Sequence, residues 1–355
     1  MTGHTSFRQP WIGRKWIESI FILLPPFASL AFIAAFPALF RDNDSISDAW
    51  WVILILLVDV AHVYSTLYRT YFDRSSFNKY RIPLIVIPIA GLIAGILLYA
   101  EGALLFWRLL AYLAVFHFIR QQYGFMRIYS RQEQAPRWAQ RIDSFTIYYA
   151  TIYPLIDWHL GEPRHFSWFV DNDFVFFRSG LLLKCATMLY YATILVYLAR
   201  EIYAFAQNRR INLPRVAVLT GTILSWYFGI VYFNGDMAFT LLNVVSHGIP
   251  YMALIWLYGK KEHGHGRNGF LKTIFAPYGI LLFLGIIFLL AYLEEGLWDM
   301  TVWKEHVSLF PVFHLPGGRL PANWLVIVVP LLALPQVTHY IIDGFIWRRP
   351  HSTGT

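Results

Sequence analysis

Charge is scarce in this chain. Lys, Arg, Asp and Glu supply only 14% of its 355 residues, while 57% are hydrophobic and the mean hydropathy is +0.48. A soluble domain carries about 25% charged residues, so too little charge is present to solvate a globular surface. That excludes an ordinary soluble domain and points to an integral membrane protein. Cysteine is scarcer still. The single Cys185 excludes an internal disulfide framework and any four-cysteine zinc or iron–sulfur site within one chain; in its apolar run it reads as packing. No phosphate-cradling glycine loop, nucleophile elbow or dinucleotide fingerprint occurs. No linker, low-complexity segment, soluble domain or clear repeat interrupts the chain, so 1–355 reads as one membrane domain.

What is abundant is apolar sequence in long runs. Runs of the roughly 20 residues that cross a bilayer fall near 17–40, 49–72, 82–100, 103–126, 142–158, 180–200, 214–233, 237–258, 270–293 and 321–347. The fifth is the least apolar. Arg8, Arg14 and Lys15 precede the first run, which has no small-residue cleavage site and reads as an uncleaved span. The fold class is therefore all-α, a polytopic bundle of about ten transmembrane helices. The net charge of +8 sits in short loops with no basic domain, which argues against nucleic acid as a partner. Alternate loops are basic: Arg74, Lys79 and Arg81; Arg127, Arg131, Arg137 and Arg141; Arg200, Arg209 and Arg210; Lys260, Lys261 and Arg267; Arg348 and Arg349. The loops between them are acidic or mixed, including "RDNDSISD", "EPRHFSWFVDND" and "EEGLWDMTVWKEH". The positive-inside rule puts both termini in the cytoplasm, as for a protein of a bacterial inner membrane. The outer loops 158–179 and 294–320 carry Trp and Phe that either pack as a lid or lie at the interface.

Ionisable groups inside a membrane are costly, and each is a functional candidate. Of twelve histidines, four fall inside spans: His62, His117, His247 and His339. They belong to the second, fourth, eighth and tenth runs, which all point the same way. Counted from the cytoplasmic ends, they lie ten, nine, eleven and eight residues deep. At about 1.5 Å per residue these depths agree within one helical turn. Each also has a polar residue three or four positions away on its own helical face: Asp59 before His62, Gln121 after His117, Asn243 before His247 and Asp343 after His339. A metal-bound imidazole commonly gives its second N–H to a carboxylate or amide that fixes the ring, and Asp59 or Asp343 can alternatively be a ligand. Near the inner interface Arg69, Arg120 and Tyr123 either snorkel to headgroups or hold an anionic group of a substrate entering from the cytoplasmic leaflet. The stretch "KKEHGHGRNG" (260–269) reads as a solvated loop despite its histidines.

Neutral imidazole suits iron, copper and zinc. Three functions fit four histidines at one depth. The first is a non-haem iron or two-metal centre that uses O₂ on a hydrophobic or lipid-like substrate entering sideways from the bilayer, with an electron donor protein of unknown identity. The second is a proton-coupled transporter in which the Asp/His pairs form a relay. The third is bis-histidine haem. A single shared level favours one compact non-haem iron site over two stacked haems. The arrangement of His62, His117, His247 and His339 resembles the histidine-rich membrane oxygenases, most of all the Brp/Blh-type β-carotene dioxygenases. That resemblance implies a multi-span protein holding non-haem iron through histidines on several helices. The clustered H-x-x-x-H and H-x-x-H-H boxes of the desaturases and hydroxylases do not occur.

Overall fold

In a computed structural model the described residues are 9–40, 46–264, 269–313 and 320–347. His4, His265, His314 and His351, and the topology markers Arg8, Arg267, Arg348 and Arg349, lie outside them. All regular structure among the described residues is helical. In chain order the long elements are α1 (Lys15–Leu23), α2 (Pro25–Ala35), α3 (Asp48–Arg69), α4 (Arg81–Glu101), α5 (Ala103–Tyr129), α6 (Arg137–Leu160), α7 (Gly180–Asn208), α8 (Leu213–Tyr232), α9 (Asp236–His263), α10 (Ile280–Trp303) and α11 (Ala322–Ile346).

Each of the ten apolar runs contains helix. Eight helices, α3 to α5 and α7 to α11, are long and apolar enough to cross a membrane, and α1 with α2, bent by 53°, makes up to nine. α6 has the length, with 24 residues, but is not among these. Arg137, Arg141 and Asp143 near its start and Asp157 and His159 near its end dilute its apolar content. The ninth run is displaced. A short helix, Phe270–Ile274, stands alone, and α10 begins only at Ile280. The break centres on Gly279, where an added Cβ would lie 2.0 Å from the Ile274 carbonyl oxygen. As a result Glu294 and Glu295, which charge counting places in an outer loop, are inside α10 and buried.

The chain packs as two compact units. One comprises Met1–Ser45, Phe118–Ser167 and Phe174–Ala253; the other Ile46–His117, Trp168–Asp173 and Leu254–Thr355. Two of the divisions fall inside α5 and α9, and the other three fall between helices. In the first unit α6 packs on α7 and α8, and α8 on α2. Gly221 permits that last approach, since a Cβ there would stand 2.6 Å from Pro26. A buried ionic network holds the unit together. Arg215 pairs with Asp143 (3.2 Å), Glu201 (2.7 Å) and Glu133 (3.1 Å), and Arg200 with Asp143 (2.9 Å). Sharing the carboxylates between two guanidinium groups leaves few uncompensated charges in a low-dielectric interior.

In the second unit α4 packs on α11, and α10 on α3. Gly95 of α4 meets Pro330 of α11, where a Cβ would lie 2.9 Å from the proline Cβ. α4 turns most of its surface outward: Ile82, Ile89, Ile93 and Leu97 are all exposed. A helix apolar on its exposed side has hydrocarbon, not water, as its solvent. An aromatic core of Phe106, Trp107, Trp298 and Tyr340 is covered by Trp168, Phe169 and Val170 of one aromatic loop and by Val302 and Trp303. The first of these loops is held by Asp173, whose carboxylate accepts from the backbone N–H groups of Trp168 and Phe169 at 2.8 and 2.6 Å.

Candidate metal centre

Three helices of the second unit each deliver one histidine to the same place. His62 comes from α3, His117 from α5 and His339 from α11. One ring nitrogen of each lies within 4.8 Å of the other two, and ring centroids stand 5.1 Å (His62 to His339) and 4.4 Å (His117 to His339) apart. All three are at most 3% exposed. The local backbone of α3 is unusual. Val52–Val60 winds as a π-helix before the α-helical turn that carries His62. Such wide turns are rare and concentrate at functional sites.

Hydrogen bonds orient the rings. His62 Nδ1 lies 3.2 Å from the Val58 carbonyl. A carbonyl only accepts, so Nδ1 carries the proton and Nε2 offers its lone pair. Nδ1 of His339 lies 2.7 Å from the Thr66 hydroxyl, one turn beyond His62 on α3. Asp343 sits between two of the rings, with one oxygen 4.0 Å from His117 Nδ1 and the other 3.8 Å from His339 Nδ1. Asp59 is 3.8 Å from His62 Nδ1, farther than the Val58 carbonyl that takes that proton. This donor set consists of neutral imidazole nitrogens with carboxylates behind them, which suits iron, copper or zinc.

His247 belongs to the first unit. It is fully buried on α9, with its ring flat against Phe118, centroids 3.5 Å apart and planes 6° apart. Helical spacing pairs Gln121 with His117, but its amide donates to the His247 carbonyl at 2.8 Å. Asn243, one turn before His247, donates to the Phe239 carbonyl at 3.0 Å, and its buried Oδ1 has no hydrogen-bond partner among the described residues. His62, His117, His247 and His339 are the four buried histidines among the described residues.

The cationic residues divide. Arg69 is engaged inside the second unit. Its guanidinium lies 4.8 Å from the Tyr258 ring and 4.2 Å from the Trp347 ring, and it donates to the Ile346 carbonyl at the end of α11. Arg120 is exposed, hydrogen-bonded to Tyr148 and stacked over Tyr123, whose ring in turn stacks on Tyr148. A second potential metal group, Asp73, Glu262 and His263, also lies within 4.8 Å. There, however, Asp73 is the N-cap of the helix Arg74–Lys79 and Glu262 pairs with Arg69 at 3.9 Å. Thr66 is a site residue that the sequence alone does not single out. The signal was its place four residues after His62.

Compared with known proteins, the chain matches no protein-family model, no curated protein and no solved structure.

Proposed function

We propose that this is an integral membrane metalloenzyme that oxidises a hydrophobic substrate with O₂ at a non-haem iron centre, with copper or zinc as the competing ions. The observation that carries the reading is the convergence of His62, His117 and His339, buried on three apolar helices with ring nitrogens within 4.8 Å. His247 stays within the first unit, buried with its ring against Phe118. Bound iron would supply the activation of O₂.

The chain's own residues do the rest. The Val58 carbonyl holds His62 in the tautomer that presents Nε2, and Thr66 holds the His339 ring in place through Nδ1. Asp343 offsets the charge of an ion beside His117 and His339. The aromatic core with its covering loop keeps water from the site. Substrate enters from the bilayer, and Arg120 with Tyr123 offers a contact for an anionic end. The setting is a bacterial inner membrane with both termini cytoplasmic, and an electron donor protein supplies the reducing equivalents. This reading agrees with what a resemblance to the histidine-rich membrane oxygenases implies.

Elemental analysis of the detergent-purified chain tests it. About one iron per chain is expected, and a His62→Ala/His339→Ala variant should lose it. Full metal loading in that variant overturns the assignment. A Soret band would replace it with haem. A metal-free chain that carries protons in liposomes would replace it with the transporter reading.

A further inference from the structure

Two prolines of the first unit line one cavity. Pro26 stands next to the 53° break between α1 and α2, and Pro250 lies inside α9. A proline has no N–H, so neither can give the helical bond that the carbonyl four residues earlier would accept. Those carbonyls belong to Ile22 and Ser246. Ile22, Pro26, Ser246 and Pro250 line the same small cavity, together with Gln122 of α5 and Thr222 of α8. In hydrocarbon no bulk solvent reaches such groups, and they need partners within the protein.

Side chains at the cavity supply part of what is needed. Gln122 donates from Nε2 to the Ser246 carbonyl at 3.4 Å. A carbonyl only accepts, so the amide nitrogen faces Ser246 and Oε1 faces Thr222. Thr222 Oγ1 lies 3.0 Å from Gln122 Oε1 and 2.8 Å from the Val218 carbonyl. It has a single proton for two acceptors, so one of them is short of a donor. The Ser246 hydroxyl is also incomplete. Ser246 is 7% exposed, and its buried Oγ has no hydrogen-bond partner among the described residues. The room open to the centre of a water-sized sphere is about 10 Å³. One water takes about 10–15 Å³ on that measure and makes roughly two to four hydrogen bonds.

We propose that this cavity is a binding site for one ordered water in the membrane interior, anchored by the Ser246 hydroxyl and Gln122 Oε1. The water oxygen accepts from Ser246. Its two protons go to Gln122 Oε1 and to the Ile22 carbonyl, which Pro26 cannot serve. The chemistry of the lining selects water over other occupants. No ionisable side chain is among the lining residues to balance an ion. An apolar molecule would leave the hydroxyl and the amide oxygen unpaired, and the room excludes anything larger. The water ties the bent pair α1–α2 to α5, α8 and α9 where two prolines remove helical bonds. The site lies in the first unit, uses none of the three converging histidines and does not depend on a metal.

A density map of the purified full-length chain, at a resolution that shows ordered water, tests it. The wild type should show one isolated peak within hydrogen-bond distance of Ser246 Oγ and Gln122 Oε1. Ser246→Ala should lose the peak. Ser225→Ala should keep it, because the Ser225 hydroxyl on the cavity wall already donates to the Thr222 carbonyl at 3.4 Å. Infrared difference spectra between ordinary and heavy-oxygen water give a second reading. One O–H stretch that moves with the oxygen isotope should be present in the wild type and in Ser225→Ala and missing from Ser246→Ala. A wild type without the peak, a Ser246 hydroxyl turned back onto the Leu242 carbonyl, or elongated lipid or detergent density in the cavity overturns the site. A peak and band that survive Ser246→Ala, or that are lost equally in Ser225→Ala, overturn Ser246 as its anchor.

Discussion

The Thr66 hydroxyl decides how His339 presents itself. At 2.7 Å from Nδ1 it occupies that ring nitrogen and fixes the ring's orientation, which leaves Nε2 as the nitrogen a metal would meet. Groups that orient a ligand in this way are worth about 10–100-fold in metal affinity. Thr66→Ala should weaken iron binding by about that factor in a chelator competition, and Thr66→Ser should restore it. A purely steric role for Thr66 would reverse that order, with Ser no better than Ala. Metal should also be released on acidification, because a protonated imidazole has no lone pair to give; a pH titration of bound metal checks this. The histidines themselves were legible in the sequence, because four ionisable residues stand out in apolar runs. Thr66 was not, because hydroxyls are common in membrane helices and only the fold shows which one meets a ring from a helix more than 270 residues away. The partner of Gln121 was likewise hidden. The spacing rule names neighbours on one helix, whereas its amide reaches across to the backbone of α9.

At the level of elements, close helix contacts depend on small residues. Gly95→Val should force α4 off Pro330 and cost about 1–3 kcal/mol, as overpacking does. Gly285→Ala, where an added Cβ meets nothing within 4 Å, should be neutral. Thermal unfolding in detergent separates the two. Arg215→Met should cost about 3–5 kcal/mol, because it leaves Asp143, Glu201 and Glu133 with too few cations in a buried setting. Denaturation monitored by helicity is the check. Helix existence was readable from apolar runs of bilayer length. The start of α10 was not. Pro277 and Gly279 lie in the break between the short helix Phe270–Ile274 and α10, but apolar residues on both sides join the two segments into one bilayer-length run. That displacement is why Glu294 and Glu295 read as loop residues and are found inside a helix.

For the whole molecule, the number of crossing helices and their direction define the topology. The chain's single cysteine makes this measurable. In a Cys185→Ser background, Gln134→Cys and Asp171→Cys place thiols at exposed positions before and after α6. If α6 crosses, as ten spans with cytoplasmic termini require, a membrane-impermeant reagent should label Gln134→Cys from the cytoplasmic side only and Asp171→Cys from the outside only. Labelling of both from one side would remove α6 from the spans.

The sequence by itself determined that the chain lives in a membrane, that it is helical, and that four histidines are placed too expensively to be incidental. Those properties follow from composition and from the 1.5 Å rise of a helix, both of which are local. Only the tertiary structure decided that His62, His117 and His339 meet, that Asp343 stands between two of the rings, and that Pro26 and Pro250 line one cavity. Depth along a span says nothing about the direction in which a side chain points around it. Rotation about the helix axis is set by packing against other helices, and packing is a property of the folded chain alone.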